Sequence, residues 1–156
     1  MIRVHERVSV GDERDCSDAP ESRAYVHACK SPCHQRAVGY RGSLSPAHPS
    51  YLVHRRGEHL YLNLIDPPGP LFKLESFSAF RGFAAEQWNA GRELVIHCNL
   101  GESRAPSLAL LFMAKDLRVL PAETFESARS AFLPHYPQYR PGLGITKFLS
   151  TRWKEL

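Results

Sequence analysis

Apolar positions fall in short runs separated by turn residues, and the runs alternate between a period of two and a period near 3.6. Arg7-Val8-Ser9-Val10-Gly11 alternates and closes on a glycine, which predicts an opening strand. Ala24-Tyr25-Val26-His27-Ala28-Cys29 and Leu60-Tyr61-Leu62-Asn63-Leu64-Ile65 predict two more, the latter stopped by Asp66-Pro67-Pro68-Gly69-Pro70. Three prolines and two glycines between Lys30 and Pro49 predict mostly loop. Residues 71–90 carry helical spacing, with Phe72, Phe77, Phe80, Phe83, Ala84 and Trp88 on one broad face and Gly91 as the stop. That face is expected to be core. Glu93-Leu94-Val95-Ile96-His97 predicts a buried strand, followed by a helix over about 105–118. A helix beginning at Pro121-Ala122-Glu123-Thr124 and another over 144–153 complete the pattern.

Strands separated by helical segments predict an α/β fold. The expectation is one domain over residues 1–156, a largely parallel central sheet flanked by helices. In such sheets ligands sit at the carboxyl ends of strands. The loop after strand 93–97 lies at such an end.

That loop, His97-Cys98-Asn99-Leu100-Gly101-Glu102-Ser103-Arg104-Ala105-Pro106, carries the chemistry. It joins a strand directly to a helix, so its amide N–H groups and the helix dipole favour an oxyanion. Arg104 can grip two oxygens of that anion in a planar fork. The same field stabilises a thiolate at Cys98. Gly101 lets the backbone close around a ligand. Asn99, Leu100, Gly101, Glu102, Ser103 and Arg104 are therefore the candidate substrate-binding residues, with Cys98 as nucleophile. His97 and Ser107 are expected to support the loop, His97 through buried hydrogen bonds.

A departing oxygen needs a proton. Asp66 ends an apolar strand and enters a proline-rich turn, and 98 − 66 = 32 residues separate it from Cys98. That interval accommodates a helix and a strand that return the chain to the same side. A turn-capping role before Pro67 is the plainer alternative for Asp66.

The segment resembles the His-Cys-x-x-Gly-x-x-Arg signature of the cysteine-based tyrosine and dual-specificity phosphatases. Gly101, Ser103, Arg104 and Pro106, together with the modest length, resemble the dual-specificity branch, and Val10-Gly11-Asp12 resembles an early segment of these enzymes. The resemblance spans nearly the whole chain. It implies a cysteine-phosphatase fold and catalysis by Cys98, Arg104 and Asp66 through a phosphocysteine, with no metal and no cofactor. It also implies that Leu64-Ile65-Asp66-Pro67-Pro68 is the general-acid loop. Cys29 is then a possible redox partner that traps the nucleophile, as a strand cysteine does in some relatives.

One position departs from the pattern. Relatives carry serine or threonine after the arginine, whose hydroxyl donates to the sulfur; this chain has Ala105. A lost donor to a charged group costs on the order of 1.5–3 kcal/mol if nothing replaces it. Ser103 and Ser107 are the candidate replacements.

His27, Cys29, Cys33 and His34 form a local cluster, but the Cys-x-x-x-Cys spacing is poor for zinc and no second ligand pair follows in sequence, so no metal is expected. Phosphoinositide-specific relatives tend to carry loop lysines, whereas Glu102 would repel a polyanion, so a phosphorylated protein or peptide is the expected substrate. Three other readings stay open: a phosphotyrosine-binding pseudophosphatase, a phosphatase for phosphoinositides or RNA 5′-phosphates, and a rhodanese or arsenate-reductase type enzyme. The last does not account for Asp66.

Composition adds limits. Twenty Lys+Arg against sixteen Asp+Glu give +4, spread along the chain, which favours mild steering of anions over nucleic-acid binding. No apolar run approaches the roughly 18 residues of a membrane span, and Met1–Glu6 lacks a signal-peptide core. Four cysteines do not predict a disulfide scaffold, and a nucleophilic thiol needs a reducing compartment. A cytoplasmic monomer is expected.

Overall fold

The computed structural model describes residues 1–16, 22–69 and 71–156. Six strands form one mixed sheet in the order β1-β2-β6-β3-β5-β4. They are β1 (Ile2–His5), β2 (Val8–Gly11), β3 (Arg23–His27), β4 (Val53–Arg56), β5 (His59–Leu62) and β6 (Glu93–His97). The inner four, β2, β6, β3 and β5, run parallel, and β1 and β4 add antiparallel edges. The expected largely parallel sheet is therefore present, with two edge strands that hydrophobic patterning does not announce. Ile2-Arg3-Val4-His5 buries only Val4 among four residues, and Val53-His54-Arg55-Arg56 buries none. Both are ordered by pairing with a neighbour and not by an apolar face of their own.

β6 occupies the centre, between β2 and β3, and Leu94–His97 are all buried. Strands covered on both faces read as continuous apolar runs, as Leu94-Val95-Ile96 does. The chain then passes through the signature loop into α3 (Arg104–Lys115), whose residues Ala105–Ala114 are buried throughout. A helix that is apolar all round belongs in the interior. α2 (Leu74–Asn89) packs beside it on Phe77, Phe80, Phe83 and Ala84, as the helical spacing predicts. Trp88 is only partly buried and carries the Arg7 guanidinium 3.8 Å above its ring.

The remaining helices are α1 (Gln35–Val38), α4 (Phe125–Phe132) and α5 (Leu143–Arg152). α4 starts four residues beyond Pro121, at the point where the Thr124 hydroxyl accepts from the Ser127 N–H in a capping box. The predicted loop over 30–49 contains an irregular helical turn, Lys30–His34, leading into the single turn of α1. Pro70, part of the predicted strand stop, lies outside the described residues. Among the described residues no helix is long and apolar enough to cross a membrane.

Candidate active site

Parallel register sets the site. His97 pairs with Gly11 on one side and with His27 on the other, so three strands end at the same level. The signature loop rises from that level. Its base is pinned by the Cys98 N–H donating to the Gly11 carbonyl (3.4 Å) and by the Glu13 N–H donating to the Asn99 carbonyl (3.3 Å). Gly101 has φ +72°, and a Cβ there would lie 3.0 Å from the Gly11 carbonyl oxygen. Any side chain would thus be strained twice, by conformation and by contact.

Tyr136 and Arg140 hold the outer half of the loop, and Tyr139 holds the helix that follows it. The buried Tyr136 hydroxyl donates to the Gly101 carbonyl at 2.9 Å, and the Arg140 N–H donates to the Glu102 carbonyl at 2.8 Å. Tyr139 pairs with Ser107 through their hydroxyls at 2.8 Å. Burial pushes the Tyr139 hydroxyl well above its ordinary pKa, so it stays protonated and available as a donor. Sequence reasoning missed both tyrosines, because nothing in the pattern of residues 134–142 ties them to a loop some 35 residues upstream.

With its carbonyls held, the loop keeps its donors. The N–H groups of Asn99, Leu100, Gly101, Glu102, Ser103 and Arg104 find no hydrogen-bond acceptor among the described residues. Backbone donors are ordinarily paired. Six consecutive amides without an acceptor at a helix N-terminus have the geometry that suits an anion.

Arg104 complements it. Its Nη1 donates to the carbonyls of Leu64 (2.9 Å) and Ala28 (3.2 Å), and its Nη2 donates to Asn99 Oδ1 (2.8 Å). A guanidinium has five N–H donors. Three are engaged here, and the two left are the Nε–H and the second Nη2–H. Nε is buried without a partner. Those two lie on one edge of the fork and suit two oxygens of a tetrahedral anion. Asn99 thus acts through its side chain as a strut, since its amide also donates to the Ser31 carbonyl at 2.9 Å.

Asp66 reaches the same place. It follows β5 by four residues, is exposed, and lines a cleft of about 330 Å³ with Lys30, Ser31, Asn99 and Arg104. A Cβ on Gly142 would fall 2.5 Å from Asp66 Oδ1, so glycine there makes room for the carboxylate. The structure brings Asp66 and Arg104 together across the cleft, with Cys98 (2% exposed) at the base of the loop. Asp12, another carboxylate near the loop, is held down to about 2 by its hydrogen bonds with Arg14.

Other expected roles come out differently. His97 is fully buried, but its Nε2 lies 2.7 Å from His27 Nδ1, so its hydrogen bond runs to the neighbouring strand and not to the loop. The Ser103 hydroxyl accepts from the Gly142 N–H (3.0 Å), and that of Ser107 is paired with Tyr139. Neither hydroxyl reaches the Cys98 sulfur, so neither replaces the donor missing at Ala105, which is itself fully buried. Cys29 packs with Cys33 and Tyr61 in a small separate cluster, while Cys98 belongs to the main core. That arrangement brings Cys29 to Cys33. His34 turns away from the cysteines and bonds the Tyr40 hydroxyl at 3.0 Å.

No protein-family model and no curated protein matches the chain by sequence. Solved structures match its backbone. Human DUSP28 superposes with a TM-score of 0.67 at 16% identity, over 99% of this chain and 96% of that one. The chain has the dual-specificity phosphatase fold. The human tyrosine phosphatase-like serine/threonine/tyrosine-interacting protein gives 0.65 at 11% identity, over 98% and 92%. PTPMT1 in complex with PI(5)P gives 0.64 at 16% identity, over 98% and 94%.

Proposed function

We propose that this protein is a metal-independent, cysteine-dependent phosphatase acting on phosphorylated proteins or peptides, phosphotyrosine first. The observation that carries the reading is the row of unpaired amides from Asn99 to Arg104, completed by the partnerless Arg104 Nε. Donors left free in a buried or half-buried loop are costly unless a ligand takes them. A tetrahedral dianion takes them all.

In the proposed cycle the Cys98 thiolate attacks phosphorus in line. The P–S bond forms as the bond to the ester oxygen breaks. Arg104 and the loop amides hold the equatorial oxygens, where negative charge must be stabilised. Asp66 gives its proton to the leaving oxygen. The resulting carboxylate then takes a proton from water, whose oxygen attacks phosphorus and releases Cys98 as a thiolate. Phosphate leaves and the enzyme is restored.

Two features favour a phosphoprotein over a polyanionic head group. Glu102 places a carboxylate in the loop, and Ile65, which lines the cleft, and Leu100 in the loop are exposed apolar side chains. An aromatic phosphoester meets such side chains more favourably than an inositol polyphosphate does. The testing experiment is hydrolysis of p-nitrophenyl phosphate in EDTA, followed by panels of phosphotyrosine, phosphoserine and phosphothreonine peptides and of phosphoinositides. Turnover in EDTA with phosphotyrosine peptides leading supports the reading. Tight phosphopeptide binding without turnover would make the protein a capture module.

A further inference from the structure

We propose that Cys16, His27, Cys33 and His97 form a tetrahedral zinc site beneath the signature loop, structural in role and separate from the phosphate cradle. Their ligand atoms all lie within 4.8 Å of one another. The residues come from four different segments. Cys16 follows the turn Glu13–Asp15 after β2, His27 ends β3, Cys33 sits in the turn Lys30–His34, and His97 ends β6.

The spacing fits the metal. With Zn–S near 2.3 Å and Zn–N near 2.05 Å, a tetrahedron separates two sulfurs by about 3.8 Å and a sulfur from a nitrogen by about 3.6 Å. The Cys16 and Cys33 sulfurs are 3.7 Å apart, and Cys16 Sγ lies 3.6 Å from His27 Nδ1. The two imidazoles need the largest adjustment. His97 Nε2 and His27 Nδ1 stand 2.7 Å apart, against about 3.3 Å for two nitrogens on one zinc. At 2.7 Å they share a proton in the metal-free protein, and zinc takes the place of that proton.

Support around the two imidazoles differs: His97 Nδ1 is buried with no hydrogen-bond partner, whereas His27 is braced. A metal-bound histidine ordinarily donates its other ring N–H to a fixed acceptor. If Nδ1 of His27 binds zinc, its Nε2–H faces His59 Nδ1 at 3.0 Å. His27 is held flat between Tyr61, with ring centroids 4.2 Å apart, and the edge of His97. Two thiolates and two sulfur-free neutral ligands also balance the charge. Zn²⁺ with two thiolates and two imidazoles is neutral in sum, so it is not repelled by Arg36 and Arg56, which line the same cleft as Cys16, His27 and Cys33. Soft sulfur and imidazole donors in this ratio select zinc over magnesium or calcium. On binding, each thiol loses its proton to solvent, and the shared imidazole proton moves to the far nitrogen of its ring.

The consequence is mechanical. The Cys16 segment also reaches the signature loop through Glu13 and Gly11, and His97 directly precedes Cys98. Zinc would fasten both to β3 and the Lys30–His34 turn, fixing the floor from which the loop rises.

The experiment uses the full chain carrying Cys98→Ser, so that zinc on the nucleophile is excluded. Reduced, chelator-stripped protein is titrated with Zn²⁺ and then with Co²⁺. The expected result is one Zn²⁺ per chain, a melting temperature that rises with zinc, and a Co²⁺ spectrum with thiolate charge transfer and tetrahedral bands. Adding Cys16→Ser or Cys33→Ser should weaken binding at least about 100-fold, more than loss of a supporting contact costs. His59→Ala should weaken it about 10- to 100-fold, and Cys29→Ser should leave it unchanged. Should a cysteine variant misfold, X-ray absorption of the zinc-loaded parent decides, with two sulfur and two nitrogen neighbours expected. No stoichiometric binding, or binding that survives Cys16→Ser and Cys33→Ser together, overturns the proposal. Phosphatase activity enters none of these readouts, so this site stands or falls independently of the catalytic reading.

Discussion

Arg104 Nη1 donates to the Leu64 carbonyl at 2.9 Å, which ties the arginine of the signature loop to the strand end that presents Asp66 two residues later. The same carbonyl accepts the Lys30 N–H at 2.9 Å. Arg104, the Asp66 loop and the turn after β3 are therefore set against one another by a single oxygen, and a disturbance in one is felt in the others.

Arg104→Lys should fail nearly as badly as Arg104→Ala. Lysine keeps the charge but cannot reach two carbonyls and Asn99 while offering two further donors in one plane. Loss of a transition-state donor of this kind costs about 10²–10³-fold in turnover. Steady-state kinetics on p-nitrophenyl phosphate check it, and near-native turnover by the lysine variant would show that charge alone suffices.

Asp66→Asn should lower turnover of poor leaving groups by about 10²–10⁴-fold and spare good ones. Steady-state rates of both proteins on phenyl phosphate and on a nitrophenyl ester check it, and an equal loss on the two esters would contradict the role. Glu58 is ion-paired to Arg92 at 3.4 Å and offers no substitute.

Gly142→Ala should act through Asp66. A Cβ at residue 142 displaces a carboxylate it would approach to 2.5 Å, while the backbone there (φ −61°, ψ 161°) suits alanine. The expected outcome is a loss of about 10- to 100-fold on poor leaving groups with an unchanged melting temperature. An equal loss on all substrates would place the defect elsewhere.

Much of this arrangement is readable from sequence, for physical reasons that differ by element. β6 and α3 are buried on all sides, so their apolar runs have no other explanation, and the expectation of an oxyanion at residues 98–104 rests on a loop between such a strand and helix. Asp66 is readable because the proline-rich turn marks where β5 stops. What escaped is non-local. β1 and β4 owe their form to partners, Tyr136 reaches the loop and Tyr139 reaches α3 from beyond α4, and Cys16 and His97 join His27 and Cys33 only once three parallel strands end in register. Counting ligands along the chain finds His27, Cys29, Cys33 and His34; the sheet assembles a different four.

Ala105→Ser should speed breakdown of the phosphocysteine, because no hydroxyl among the described residues donates to Cys98 and serine at the first turn of α3 would supply one. Rapid mixing with a good leaving-group ester should show a burst in the native protein that shrinks in the variant. A native protein without a burst, unchanged by the substitution, would mean that hydrolysis of the intermediate is already fast.

The central claim is that Cys98 carries the phosphoryl group. Acid-quenching the native protein within milliseconds of mixing with p-nitrophenyl phosphate, then mapping the protein by mass spectrometry, tests it most directly. The expected result is one phosphoryl group on the peptide containing Cys98, absent from Cys98→Ser, whose turnover should fall by at least about 10³-fold. Rapid turnover with no adduct on Cys98, or turnover that persists in Cys98→Ser, would contradict it.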